Sequence, residues 1–137
     1  MLKEIIAVFV GGGIGSILRF LISRMSIINN SNFPLPTFIS NILGCIFLGI
    51  FLSYFIKNNN TESTFFIFLT VGVCGGFTTF SSFSNESLQL IQNGQIITFL
   101  TYLLLSFATG LLGVYLGTVT YKLLSVSYTH LRAHETS

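Results

Sequence analysis

The stretch GVCGGFTTFSSFSNES, residues 72–87, crowds glycines, hydroxyls and phenylalanines into what reads as the middle of a membrane span. Gly72, Gly75 and Gly76 each lower helix propensity by about 1 kcal/mol relative to alanine, and Thr78, Thr79, Ser81 and Ser82 carry hydroxyls that compete for backbone hydrogen bonds. A broken helix is the expected consequence. Irregular backbone at membrane depth is tolerated only where it is buried in protein or lines a cavity. There, freed carbonyls are ligands for cations and reopened helix ends are sites for anions. Phe80 and Phe83, three residues apart on one helical face, carry electropositive ring edges. Beside hydroxyls, such edges can meet a small anion without a full positive charge; facing lipid is the commoner fate of a membrane phenylalanine.

Two further polar residues stand inside apolar runs. Arg19 is away from the ends of its segment, where a charge in hydrocarbon costs about 3 kcal/mol or more on insertion scales. It must snorkel to the interface or line an anion-attracting vestibule, and both readings stand. Asn41, in PTFISNILG, needs a hydrogen-bond partner on another helix or on something passing through. No carboxylate is evident in the central part of any apolar run: Glu4 and Glu62 lie at an end or in a loop, and Glu86 follows the FTTFSSF segment. A proton relay or a cation-binding carboxylate is therefore not expected.

The elements that must position these residues follow from composition. Of 137 residues, 51% are hydrophobic and 7% charged, with a mean hydropathy of +0.80; a water-soluble domain carries roughly 25% charged residues. A span needs about 20 apolar residues. Four are expected, at about residues 5–28, 37–56, 64–92 and 95–124, in an all-α membrane protein whose domain covers residues 1–124. Pro34 and Pro36 are expected to break the helix between the first two spans, Lys57 to Ser63 to close the second, and Asn93-Gly94 to close the third. A cleaved signal peptide is the rival for the first span, but Gly11 to Gly13 and Arg19 occupy its centre in place of a short apolar region.

Glycines four apart, Gly11 with Gly15, Gly72 with Gly76 and Gly113 with Gly117, suit close approach of helix backbones in lipid. Four spans place Lys3, Lys57 and Lys122 on one membrane face against Arg24 on the other, a bias small enough to permit insertion both ways round. A bundle of this size has little interior, so a solute path would form more naturally between subunits. Cys45 and Cys74 fall inside spans and read as small apolar residues. The tail at residues 125–137 differs in kind and is read as a disordered end or a non-native scar. Its His130 and His134 have an i, i+4 spacing that could present two imidazoles to a metal, but no third ligand is at hand.

With these residues in view, GGGIGSILRF near the start, PTFISNILGCIFLG in the second span and GVCGGFTTFSSFS in the third resemble the signature segments of the Fluc (CrcB) family of fluoride channels. The resemblance continues through YLLLSFATGLLG in the fourth span and covers residues 3 to about 122. Ser82 stands where that family commonly has Thr, which keeps the hydroxyl. The resemblance implies an antiparallel, dual-topology homodimer with two pores, each lined by both subunits. It implies that Phe80 and Phe83 line the fluoride path and that Asn41 donates a hydrogen bond to the ion. Ser81, Tyr102 and Ser106 would extend the polar track, and Arg19 would belong to the aqueous entrance. The backbone carbonyls of Gly75 and Thr78 would hold one structural Na⁺ that is not transported, in keeping with the preference of a hard cation for carbonyl oxygen.

The function so implied is passive, fluoride-selective conduction in the cell membrane that exports the ion and relieves toxicity. Partners would be fluoride, the lipid bilayer and a second copy of the chain, with no nucleic acid and no enzymatic activity. A small four-span multidrug/proton exchanger is the alternative, and it would need a membrane-buried carboxylate. A packing subunit without transport activity would leave the polar segment without a reason.

Overall fold

A computed structural model describes residues 1–25 and 32–135, with side chains through Leu123. The expected end of the first span at Ile28 lies outside the described residues, as do the side chains of His130 and His134.

Among the described residues, six α-helical segments build four candidate spans. They are α1 (Leu2–Arg24), α2 (Leu35–Lys57), α3 (Thr64–Ile67), α4 (Gly75–Phe77), α5 (Phe80–Gln92) and α6 (Ile96–Glu135), with a π-helical stretch at Phe68–Cys74 between α3 and α4. The stretches Leu2–Arg24, Leu35–Lys57, Thr64–Gln92 and Ile96–Leu123 are each long and apolar enough to cross a membrane.

Local chemistry sets the boundaries. The α1 helix stops at Arg24, four residues before the expected end, where Met25 turns extended at φ −70° and ψ 109°. Its Glu4 in the first turn and Arg24 in the last complement the helix dipole. Pro36 begins a helix rather than breaking one: it sits in the first turn of α2, where a missing N–H costs nothing, with Pro34 at the cap. Between the second and third spans, Ser63 caps α3 by accepting from the Phe66 N–H at 3.1 Å. Asn93-Gly94 closes the third span as expected, with Gly94 at φ +71° and the Gln95 N–H reaching back to the Leu90 carbonyl at 2.9 Å.

Packing pairs the spans two by two. The α2 helix runs along α6, and α1 runs along the π-helical stretch and α4. Both seams are lined by glycines of the expected pairs, joined by Gly12 in the first and by Gly49, which was not among those pairs, in the second. A Cβ on Gly76 would come within 2.9 Å of the Gly12 Cα, and one on Gly15 within 2.7 Å of the Phe77 nitrogen. In the other seam, Cβ atoms on Gly49 and Gly117 would collide with the carbonyl oxygens of Val114 and Ile46. Backbones this close gain dispersion contacts that a larger side chain would forbid.

Little is fully enclosed. Tyr102 is 0% exposed, Phe55 and Ser40 1%. Phe55 is ringed by Tyr54, Phe65 and Phe66, which ties the end of α2 to α3. Large apolar side chains such as Phe9, Ile97 and Phe107 stand open on the outside, as expected where lipid replaces water.

Candidate functional site

The third span departs from α-helix twice within a dozen residues. The wide π-helical turns at Phe68–Cys74 end at Gly75, and α4 lasts only three residues. Thr78 (φ −80°, ψ 154°) and Thr79 (φ −149°, ψ 118°) are then extended before α5 begins. Thr79 caps α5: its Oγ1 accepts from the Ser82 N–H at 3.2 Å and lies 3.1 Å from Ser81 Oγ. Such a cap satisfies one of the orphan donors of a new helix.

The carbonyls around α4 are claimed unevenly. Cys74 O receives both the N–H and the hydroxyl of Thr78, each at 2.9 Å. Gly76 O receives Arg19 Nε at 3.3 Å and Ser16 Oγ at 3.4 Å, both from α1. Arg19 therefore reaches a backbone carbonyl at the interrupted segment, from a half-buried position. Among the described residues no hydrogen bond ends on the carbonyl of Gly75 or of Thr78.

One face of α2 reads the segment opposite. Thr37, Asn41 and Gly44 follow at helical spacing. Gly44 is in contact range of Thr78 and Phe77. Asn41 Oδ1 accepts from the Thr79 N–H at 2.8 Å while its Nδ2 donates to the Thr79 carbonyl at 3.3 Å. The side chain expected to donate to an ion thus donates to backbone here. Thr37 Oγ1 donates to Glu86 Oε1 at 2.6 Å, and Tyr102 OH donates to Glu86 Oε2 at 2.7 Å.

Glu86 is the functional-site residue that the sequence did not single out. It lies inside α5 and ties α2, α5 and α6 together through both carboxylate oxygens, with donors 49 and 16 residues away along the chain. The one sequence signal for it was its place one helical turn beyond Phe83, on the same face.

The rings form a row. Phe80 and Phe83 have centroids 5.9 Å apart, and Phe83 and Tyr102 5.0 Å. Phe80 is 80% exposed, so the row runs from an open side chain to a fully enclosed one. One turn beyond Tyr102 on α6, Ser106 Oγ is enclosed and has no hydrogen-bond partner among the described residues; Ser87 Oγ on α5 is in the same condition. The structure therefore brings the rings of Phe80, Phe83 and Tyr102 into one row, with Ser81 beside the Thr79 cap at the start of α5 and Ser106 one turn from Tyr102 along α6. Asn41 is placed beside the Thr79 backbone, and Arg19 at the Gly76 carbonyl. Cys45 and Cys74 are free thiols, and no cluster of three metal-ligating side chains occurs among the described residues.

Residues 6–118 match the family model described as CrcB-like protein, Camphor Resistance (CrcB). A protein of Azobacteroides pseudotrichonymphae named fluoride-specific ion channel FluC is 49% identical over 118 residues, covering 85% of this chain and 94% of its own length. A protein of the same name from Flavobacterium psychrophilum is 41% identical over 124 residues, covering 88% of this chain and 98% of its own. One from Escherichia coli O81 is 36% identical over 131 residues, covering 95% and 100%. This chain belongs to the CrcB-like family and is a multi-pass membrane protein.

Proposed function

We propose that this protein is a passive, fluoride-selective channel that works as an antiparallel homodimer and lets the ion leave the cytoplasm down its gradient. The relatives named fluoride-specific ion channels support the choice of ion. The observation that carries the reading is the Ser106 hydroxyl, enclosed, unpartnered and one turn from Tyr102 at the end of the ring row. A buried hydroxyl without a partner costs about 1–3 kcal/mol, a cost removed when a passing anion or its water accepts from it.

Fluoride is small and strongly hydrated, so a pore must replace its water with donors while keeping larger anions out by width. Phe80 and Phe83 would offer ring edges to the ion, whose positive rim suits an anion. Ser81, at the head of α5, would greet the ion with a hydroxyl and the helix N-terminus. Tyr102 and Ser106 would continue the track. Glu86 would act as a fixed acceptor: by engaging Thr37 and Tyr102 it sets the position of the phenol beside Phe83. Arg19 would draw anions toward the entrance, its guanidinium anchored by the Gly76 carbonyl. Asn41 would take part through its amide N–H, which can serve a carbonyl and an ion in turn.

The unclaimed carbonyls of Gly75 and Thr78 fit a hard cation, which takes oxygen ligands. A Cβ on Gly75 would meet nothing within 4 Å, so this side of α4 is open to a second copy, whose equivalent carbonyls would complete a Na⁺ site at the dimer centre. Such an ion would fix backbone and not move.

Efflux from reconstituted liposomes tests the reading, followed with a fluoride electrode and with chloride and an organic drug cation as comparisons. Fluoride efflux with chloride retained is expected. Proton-coupled movement of the drug cation with no fluoride efflux would establish the exchanger instead.

A further inference from the structure

We propose that Asn41 is a positioning residue for the cation site: it withholds the Thr79 N–H from the Gly75 carbonyl and sets the direction of the Thr78 carbonyl. This inference rests on the reading of Gly75 and Thr78 as Na⁺ ligands.

Helical geometry supplies the first half. In a continuous α-helix the Thr79 N–H would bond the carbonyl four residues back, which is that of Gly75. Here that N–H goes to Asn41 Oδ1 at 2.8 Å. The neighbouring carbonyls are occupied, Cys74 O by Thr78 and Gly76 O by Arg19 and Ser16. Gly75 O is consequently the acceptor left over.

Peptide planarity supplies the second half. The Thr79 N–H and the Thr78 C=O belong to one peptide unit, planar and trans, so that they point in opposite directions. Holding the N–H against α2 aims the Thr78 oxygen away from α2. The second bond, Asn41 Nδ2 to the Thr79 carbonyl at 3.3 Å, fixes the next peptide unit as well. With both units held, the extended conformation of Thr79 at φ −149° and ψ 118° is stabilised by one side chain reaching across 38 residues of sequence. An N–H···O bond also polarises the carbonyl of its own peptide unit, which makes that oxygen a better ligand.

Sodium-dependent thermal melting of the purified protein in detergent, with potassium replacing sodium at constant ionic strength, measures the site without reading transport. Wild type is expected to melt higher as sodium rises. Asn41→Ala should need about tenfold more sodium for half of that rise, whereas Asn41→Asp, which keeps an acceptor for the Thr79 N–H, should need no more than wild type.

Equal sodium midpoints in wild type and Asn41→Ala would overturn the positioning role. Should Asn41→Ala not fold, a weaker sodium response in Asn41→Asp than in wild type overturns it equally. Absence of any sodium response in wild type would instead refute the cation site itself.

Discussion

Ser106 concentrates the residue-scale case, because the cost of its enclosed hydroxyl falls on the empty protein and its benefit on the occupied one. Ser106→Ala should slow fluoride efflux about tenfold, since a hydrogen bond to a charged group contributes about 1.5–3 kcal/mol. Removing an enclosed polar atom that has no partner should leave the melting temperature of the same variant unchanged or slightly higher. A variant that loses stability while keeping its flux would show that Ser106 serves packing. Residue chemistry was partly legible in the sequence. Phe80, Phe83 and the hydroxyls around them could be read from type and spacing, whereas the Asn41–Thr79 and Thr37–Glu86 pairs join positions 38 and 49 apart. No local pattern encodes such pairings. Glu86 was passed over because it follows the FTTFSSF segment, outside the central part of its apolar run; α5 holds it against α2 and α6, where Thr37 and Tyr102 donate to it.

At the scale of elements, the spans were legible and their ends less so. Apolar length located all four, and the third was bounded at Thr64 and Gln92 as observed. Pro36 misled because proline has opposite meanings inside a helix and in its first turn. The glycine pairs correctly indicated close backbones but not which helices meet; the structure matches α1 with α4 and its preceding π-helical turns, and α2 with α6. The π-helical stretch had only a weak signal, since glycine lowers helix propensity without specifying a wider turn. These seams make a prediction of their own. Gly49→Leu drives a Cβ into the Val114 carbonyl, an atom of a helix backbone that cannot rotate aside. Overpacking of this kind costs about 1–3 kcal/mol, so the variant should melt well below wild type in detergent. An unchanged melting temperature would mean that the α2–α6 seam is looser than its geometry indicates.

At the scale of the whole molecule, one chain supplies a row of rings, a set of hydroxyls and two unclaimed carbonyls, but little enclosed space in which to conduct. Phe80 is mostly open in the single chain and the Gly75 side of α4 faces nothing. A second copy would cover both. Antiparallel pairing requires chains of both orientations, and the small bias of basic residues between the two faces permits it. Tags at the N-terminus should therefore be reachable by membrane-impermeant reagents from both faces of the membrane; labelling from one face alone would rule out the dual-topology dimer. The small interior of a four-span bundle was legible from chain length, but which surfaces a second copy would cover was not, because apolar surfaces that meet protein and lipid are alike in composition.

On the proposed function, fluoride passes along Phe80 and Phe83. Fluoride-electrode efflux from liposomes holding wild type, Phe80→Ile or Phe83→Ile tests it most directly, with each variant first shown to be folded by its melting curve. Wild type should empty the liposomes of fluoride and retain chloride, and each isoleucine variant should be slower by roughly tenfold or more, the equivalent of about 1.4 kcal/mol of added barrier. Undiminished fluoride efflux through both folded variants would contradict the account.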